Sequence, residues 1–109
     1  MGQGSRSPDG VALWIQRRLP VLLRSYRVIE AYLFGSWGRG DADPYSDIDL
    51  IIVAPSRRPF VERFRDYPGV WQEAPTGIDL LIYTPNEFAR QRRQNRFVRH
   101  VLRQARRII

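Results

Sequence analysis

Residues 34–53 read F-G-S-W-G-R-G-D-A-D-P-Y-S-D-I-D-L-I-I-V, and the fold turns on how this stretch is parsed. An apolar segment ending at Phe34 runs into a glycine-rich turn, and a second apolar segment emerges at Ile48. Asp47 and Asp49 stand at the entrance to that second segment, one residue apart. Alternation along a strand sends both carboxylates to one face, while Ile48 and Leu50 point to the other. Charge drawn toward a core is costly unless something pairs with it. A cation or a basic side chain must therefore be expected at this strand end.

Working outward, the apolar positions Val11, Trp14, Ile15, Leu19, Leu22, Leu23 and Tyr26 recur at helical spacing, with a kink or restart expected at Pro20. V-I-E-A-Y-L-F (28–34) reads as a first strand and D-I-D-L-I-I-V-A (47–54) as a second, ended by Ala54-Pro55-Ser56. Residues 59–72 give a short helix around Phe60, Val61 and Phe64 and a turn at Tyr67-Pro68-Gly69. G-I-D-L-L-I-Y (77–83) is a third strand. Thr84-Pro85-Asn86-Glu87 then carries the marks of a helix start: Thr at the cap, Pro at the first position, Glu three residues after the cap. One last helix is expected from there to Ile109, along the stripe Phe88, Val98, Val101, Leu102, Ala105. The fold class is α/β (α+β), a short mixed sheet flanked by helices. Residues 1–8 read as a flexible N-terminus and 9–109 as a single domain.

Asp79 holds in the third strand the place that Asp49 holds in the second: isoleucine before it, Leu80-Leu81-Ile82 after it. If the strands are neighbours, three carboxylates converge on one face. Such like charges raise one another's pKa unless a cation neutralises them. Hard oxygen ligands in an incomplete cage suit Mg²⁺, which keeps positions for water and phosphate oxygens. A calcium loop fails on this sequence, because Tyr45 falls on the third ligand position and Ile52 where the bidentate Glu belongs.

Upstream, Gly35-Ser36 closes one strand and opens a short helix, where glycine admits a close backbone approach and the free N–H groups suit phosphate. No G-K-S or G-K-T is present, and the glycines at 35, 38 and 40 have the wrong order for a dinucleotide fingerprint. The whole constellation of strand, Gly35-Ser36, ten residues, Asp47-x-Asp49 and a later Asp79 resembles the nucleotidyltransferase family with the DNA polymerase β-like palm fold. Within it, the chain is most similar to the minimal nucleotidyltransferases, from about Leu22 to the last helix. Gly38 departs from the alanine common there, and residues 55–76 show nothing diagnostic.

That resemblance implies an enzyme that transfers AMP, or another NMP, from ATP or another NTP to a hydroxyl. Asp47, Asp49 and Asp79 are the expected catalytic and metal-binding residues of a two-metal Mg²⁺ site. Asp79 either completes the second metal site or takes the proton of the attacking hydroxyl. Gly35 and Ser36 are the expected nucleotide-binding residues, joined by Arg39, which has a second reading as a solvated side chain. Trp37 either stacks on the base or packs beneath the short helix. Many minimal nucleotidyltransferases act as the antitoxin of a HEPN-type toxin, so the resemblance implies a tyrosine hydroxyl of such a toxin as acceptor. The alternatives are a non-catalytic antitoxin that blocks its partner stoichiometrically, and a nucleic-acid binder. Transfer to a small molecule such as an aminoglycoside is disfavoured, since no second domain is present to form that pocket.

Charge and composition frame these readings. The chain has 109 residues and a net charge of +7. All 18 basic residues are arginine, so no mechanism here depends on lysine. Eight of them (Arg90, Arg92, Arg93, Arg96, Arg99, Arg103, Arg106, Arg107) follow Glu87, and no acid does. The tail reads as a solvated outer face, as a surface for an acidic protein, or as a contact for RNA or DNA phosphates, the last not favoured. With no cysteine there are no disulfides or thiolate metal sites, and no apolar run reaches the ~20 residues of a membrane span, so a cytoplasmic location is expected. His100 has no second histidine or cysteine near it and reads as exposed, while Trp14, Tyr26, Trp71 and Tyr83 read as core.

Overall fold

The computed structural model describes residues 8–109; residues 1–7, most of the expected flexible N-terminus, lie outside the described residues. Pro8 already belongs to a helix. The elements are α1 (Pro8–Leu13), a π-helical turn (Trp14–Arg18), α2 (Leu19–Ser25), β1 (Glu30–Phe34), α3 (Gly35–Arg39), β2 (Ile48–Val53), a 3-10 segment (Phe60–Asp66), α4 (Pro68–Glu73), β3 (Ile78–Tyr83), α5 (Pro85–Gln94), α6 (Arg96–Gln104) and β4 (Arg106–Arg107).

The break in the first helix falls one turn earlier than Pro20 suggests. Proline lacks an N–H and its ring crowds the carbonyl four residues back, which is Gln16. The backbone answers by widening ahead of the ring, so that the Leu19 amide donates to the Trp14 carbonyl, five residues back. Pro20 then sits in the first turn of α2, where no N–H is needed.

The sheet order is β3-β2-β1-β4, with β2 and β3 parallel and the other pairs antiparallel. Its two faces carry separate cores. Ala31, Leu33, Leu50, Ile52 and Ile82 pack with Val11, Ile15, Leu19 and Leu23 of the N-terminal helices. Tyr32, Phe34, Ile51, Leu81 and Tyr83 face the other way, onto Phe88 of α5 and Val98 and Val101 of α6.

Two expectations fail at the C-terminus. The single last helix is two, because Asn95 leaves the helical conformation and its side chain accepts a hydrogen bond from the Val98 amide as the cap of α6. Nor does the helix reach Ile109. The chain turns out at Ala105 and adds β4 to the free edge of β1, with Ile108 donating to the Ala31 carbonyl. Ile109 therefore packs on the core of the N-terminal helices rather than along a helical stripe. Further on the aromatics, Trp71 is 39% exposed and not core.

A buried ion pair ties β3 to the elements around it. Arg63, 6% exposed on the 3-10 segment, donates to the carbonyls of Arg58 and Ile82 and, through both terminal nitrogens, to the Glu87 carboxylate. Glu87 is also the third residue of the Thr84 capping box. One carboxylate thus fixes the start of α5 and the strand end before it.

Candidate active site

Asp49 opens the exposed end of β2 on the face that α5 and α6 cover further along. The register sets it opposite Phe34 on the antiparallel side and opposite Asp79 on the parallel side. Paired positions on adjacent strands project to the same face. The expected neighbourhood of second and third strands is therefore realised, with Asp49 and Asp79 side by side. Asp47 precedes the strand, where the Ile48 amide donates to the Gly77 carbonyl.

Two glycines make room for these carboxylates. Gly35 adopts φ +66°, and a Cβ there would come within 2.3 Å of Asp49 Oδ2. At Gly77 a Cβ would come within 2.4 Å of Asp47 Oδ1. The first of these accounts for the Gly-Ser turn: it must bend left-handed and lie flat against an acid at once. Gly38 has a different reason, since a Cβ there would meet the Leu33 carbonyl oxygen at 2.6 Å. The departure from alanine at this position accompanies a close seat of α3 on β1.

Burial pushes the Asp49 carboxyl up to about 6, helped by the charge of Asp79, by a hydrogen bond between the two acids and by the charge of Asp47; Arg39 acts weakly in the opposite sense. The surplus of negative charge is thus felt at one half-buried carboxyl. A divalent cation is the partner such a set of carboxylates fits. In the conformation described, no three His, Cys, Asp or Glu side chains among the described residues form a metal-holding group.

Of the remaining site candidates, Ser36 lies in α3 and its hydroxyl is 3.4 Å from an Arg39 terminal nitrogen. Arg39 is exposed and pairs with Asp41 at 3.3 Å. Trp37 packs beneath α3, 9% exposed, and its indole N–H donates to the Ser46 carbonyl. Asp43 and Ser46 serve as turn formers, Asp43 accepting from the Tyr45 amide and Ser46 from the Asp43 amide. A pocket of about 270 Å³ adjoins Asp79 along the edge strand β3, walled by Phe64, Trp71, Ile78 and Leu80. Sequence reasoning did not anticipate it; the one signal was the run of aromatics in the undiagnostic stretch 55–76. Three roomier clefts, of about 350, 450 and 700 Å³, are lined by none of the three aspartates.

The family model of the nucleotidyltransferase domain matches residues 17–74, more than half of the sequence. The chain belongs to that family. Among curated proteins, none matches it. Two solved structures share the nucleotidyltransferase fold. One is a toxin–antitoxin with AMP-PNP, 22% identical, with a TM-score of 0.59 over 84% of this chain and 70% of that one. The other is a mutant of the toxin–antitoxin MntA-HpeT, also 22% identical, with a TM-score of 0.54 over 82% of this chain and 67% of that one. The match of family model and fold places Gly35, Ser36, Asp47 and Asp49 of this nucleotidyltransferase inside the matched segment, and Asp79 on the next strand beyond it. No helix among the described residues is long and apolar enough to cross a membrane.

Proposed function

We propose that the chain transfers AMP from ATP, or NMP from another NTP, to a hydroxyl on a protein toxin, and so acts as its antitoxin. The observation that carries this reading is the register that sets Asp49 beside Asp79 across parallel strands, with Asp47 two residues away and Gly35 against the carboxylate. Family membership supports the reaction class, and the two toxin–antitoxin neighbours support the class of partner.

In this reading Asp47 and Asp49 would hold Mg²⁺, with Asp79 closing the carboxylate cluster. Bound metal would supply charge neutralisation for the attacking and leaving oxygens. Gly35 and Ser36 hold the β- and γ-phosphates, and Arg39 adds a charge-assisted contact by exchanging its exposed Asp41 partner for a phosphate oxygen. The acceptor hydroxyl oxygen attacks the α-phosphorus, the bond to the bridging oxygen breaks, and pyrophosphate leaves. Asp79, beside Asp49 on the same face of the sheet, takes the hydroxyl proton. The resemblance to the minimal nucleotidyltransferases makes this partner a toxin of the HEPN type.

Incubation with ATP labelled on the α-phosphate, Mg²⁺ and the product of the adjacent gene tests this. Label is expected on that product with the native chain and not with Asp47→Asn. Inhibition of the partner without any label would replace the catalytic reading by a stoichiometric one.

A further inference from the structure

The eight arginines after Glu87 are all exposed. The ion pairs among the described residues use Arg18, Arg39, Arg58, Arg63 and Arg65, and none of the eight. Their arrangement is ordered. Arg96, Arg99 and Arg103 follow one another by three and four residues, which stacks them on one side of α6. Val98 and Val101 occupy the opposite side and are buried on the sheet. On β4 the two arginines alternate, so that Arg107 lies over Tyr32 on the α5–α6 side while Arg106 faces the N-terminal helices beside Ala12 and Ile15; Arg90, Arg92 and Arg93 add charge on α5. Two of these side chains are anchored: the Arg92 guanidinium lies 5.3 Å from the Phe88 ring centre, that of Arg107 5.7 Å from Tyr32, and Arg107 Nε donates to the Ile109 carbonyl. Anchoring lowers the entropy lost when a guanidinium meets a ligand.

We propose that this α5–α6–β4 surface binds the phosphate backbone of a nucleic acid strand. The apolar content of the surface decides between a nucleic acid and an acidic protein. Protein interfaces bury a core of apolar and aromatic side chains, depleted in charge, inside a polar rim. Here Phe97 is the single exposed large apolar side chain on α5, α6 or β4 among the described residues; the exposed Phe60, Val61, Phe64 and Trp71 lie on the 3-10 segment and α4. Dense guanidinium charge with almost no apolar core is the makeup of a phosphate-binding face. One exposed aromatic provides no ladder for stacking successive bases, so recognition is of backbone charge and indifferent to sequence.

The test is fluorescence-anisotropy titration of the full chain, in EDTA, with labelled single-stranded RNA, single-stranded DNA, the corresponding duplexes and poly-glutamate. EDTA removes any part played by divalent metal at the aspartates. If the seven arginines of α5, α6 and position 107 meet phosphates, affinity for a single strand falls about a thousandfold between 50 and 200 mM salt. The triple variant R96Q/R99Q/R103Q, changed only at exposed positions, is expected to lower the log–log salt slope by about 2 and to lose about a hundredfold over the same range. The fold of this variant is checked by its unfolding midpoint, and R90Q/R93Q, on a separate helix, provides an independent reduction in slope. RNA and DNA arms tell which backbone is preferred. Absence of binding at 50 mM salt, a slope unchanged in both variants, or poly-glutamate binding as tightly as the nucleic acids would each overturn the proposal.

Discussion

Replacing Glu87 by glutamine isolates the buried ion pair that fixes β3 against its surroundings. The amide keeps the shape of the side chain and can still accept from the Thr84 amide, so the capping box survives while the charge is lost. Arg63, with 7% of its side chain exposed, is then left without a counter-charge. The Arg63 guanidinium, above all through its hydrogen bond, and then the Thr84 backbone amide hold the Glu87 carboxyl down at about 2, against an ordinary 4.5. Taken at face value the depression corresponds to about 3 kcal/mol. Since 32% of the Glu87 side chain meets solvent, screening brings the expected loss to roughly 2 kcal/mol. For a chain of this size that is a fall of about 1–2 M in the urea midpoint at pH 7. The folded carboxyl is more acidic than the unfolded one, so its stabilisation is complete above 4.5 and drains away as pH falls toward 2. At pH 3, the gap between native chain and variant should therefore have shrunk to roughly half or less of its value at pH 7. Urea unfolding at both pH values measures it. An equal gap at the two, or no gap at pH 7, refutes this account of Arg63 and Glu87.

Two further outcomes concern the aspartates. In metal-free protein, carbon-13 titration should find the Asp49 carboxyl changing between pH 5 and 7, with Asp79→Asn moving the midpoint down by removing a charge and a hydrogen bond; a native midpoint near 4 would contradict the burial of Asp49 beside Asp79. Because the folded state holds that proton more tightly than the unfolded chain, this group favours folding increasingly as pH drops through 6. Gly35→Ala and Gly40→Ala both place alanine at a left-handed φ, +66° and +85°, a cost of about 1–2 kcal/mol each, yet only at 35 does the new Cβ meet Asp49. Mg²⁺–ATP affinity should fall at least about tenfold more in the first than in the second, by calorimetry; equal losses would mean that crowding of the carboxylate is irrelevant.

Much of this fold is written in short-range patterns. The apolar run Leu50–Val53 reads as a buried strand because both its faces are covered, and the Thr84–Glu87 box marks α5 because its cap, proline and glutamate each do one identifiable job. Neighbouring Asp49 and Asp79 follow from like sequence surroundings, but only the register shows them to be direct partners. What escaped was either non-local or too brief. Two arginines carry no strand signal, and β4 exists because β1 has a free edge and Ile108 and Ile109 a core to join. Asn95 was a legible cap hidden inside a run of arginines. Arg63 looked like one more surface charge, and its burial depends on a carboxylate 24 residues away. The pocket beside Asp79 joins residues from three elements and has no sequence signature.

The account rests on Asp47, Asp49 and Asp79 gathering metal and triphosphate at one strand end, and the most direct measurement is calorimetric titration of ATP with and without Mg²⁺. Binding by the native chain should require Mg²⁺, should be lost in Asp47→Asn and Asp49→Asn, should be weakened in Asp79→Asn, and should persist in Asp43→Asn, whose aspartate serves the turn. Equal ATP binding by all five chains, or binding indifferent to Mg²⁺, would contradict it.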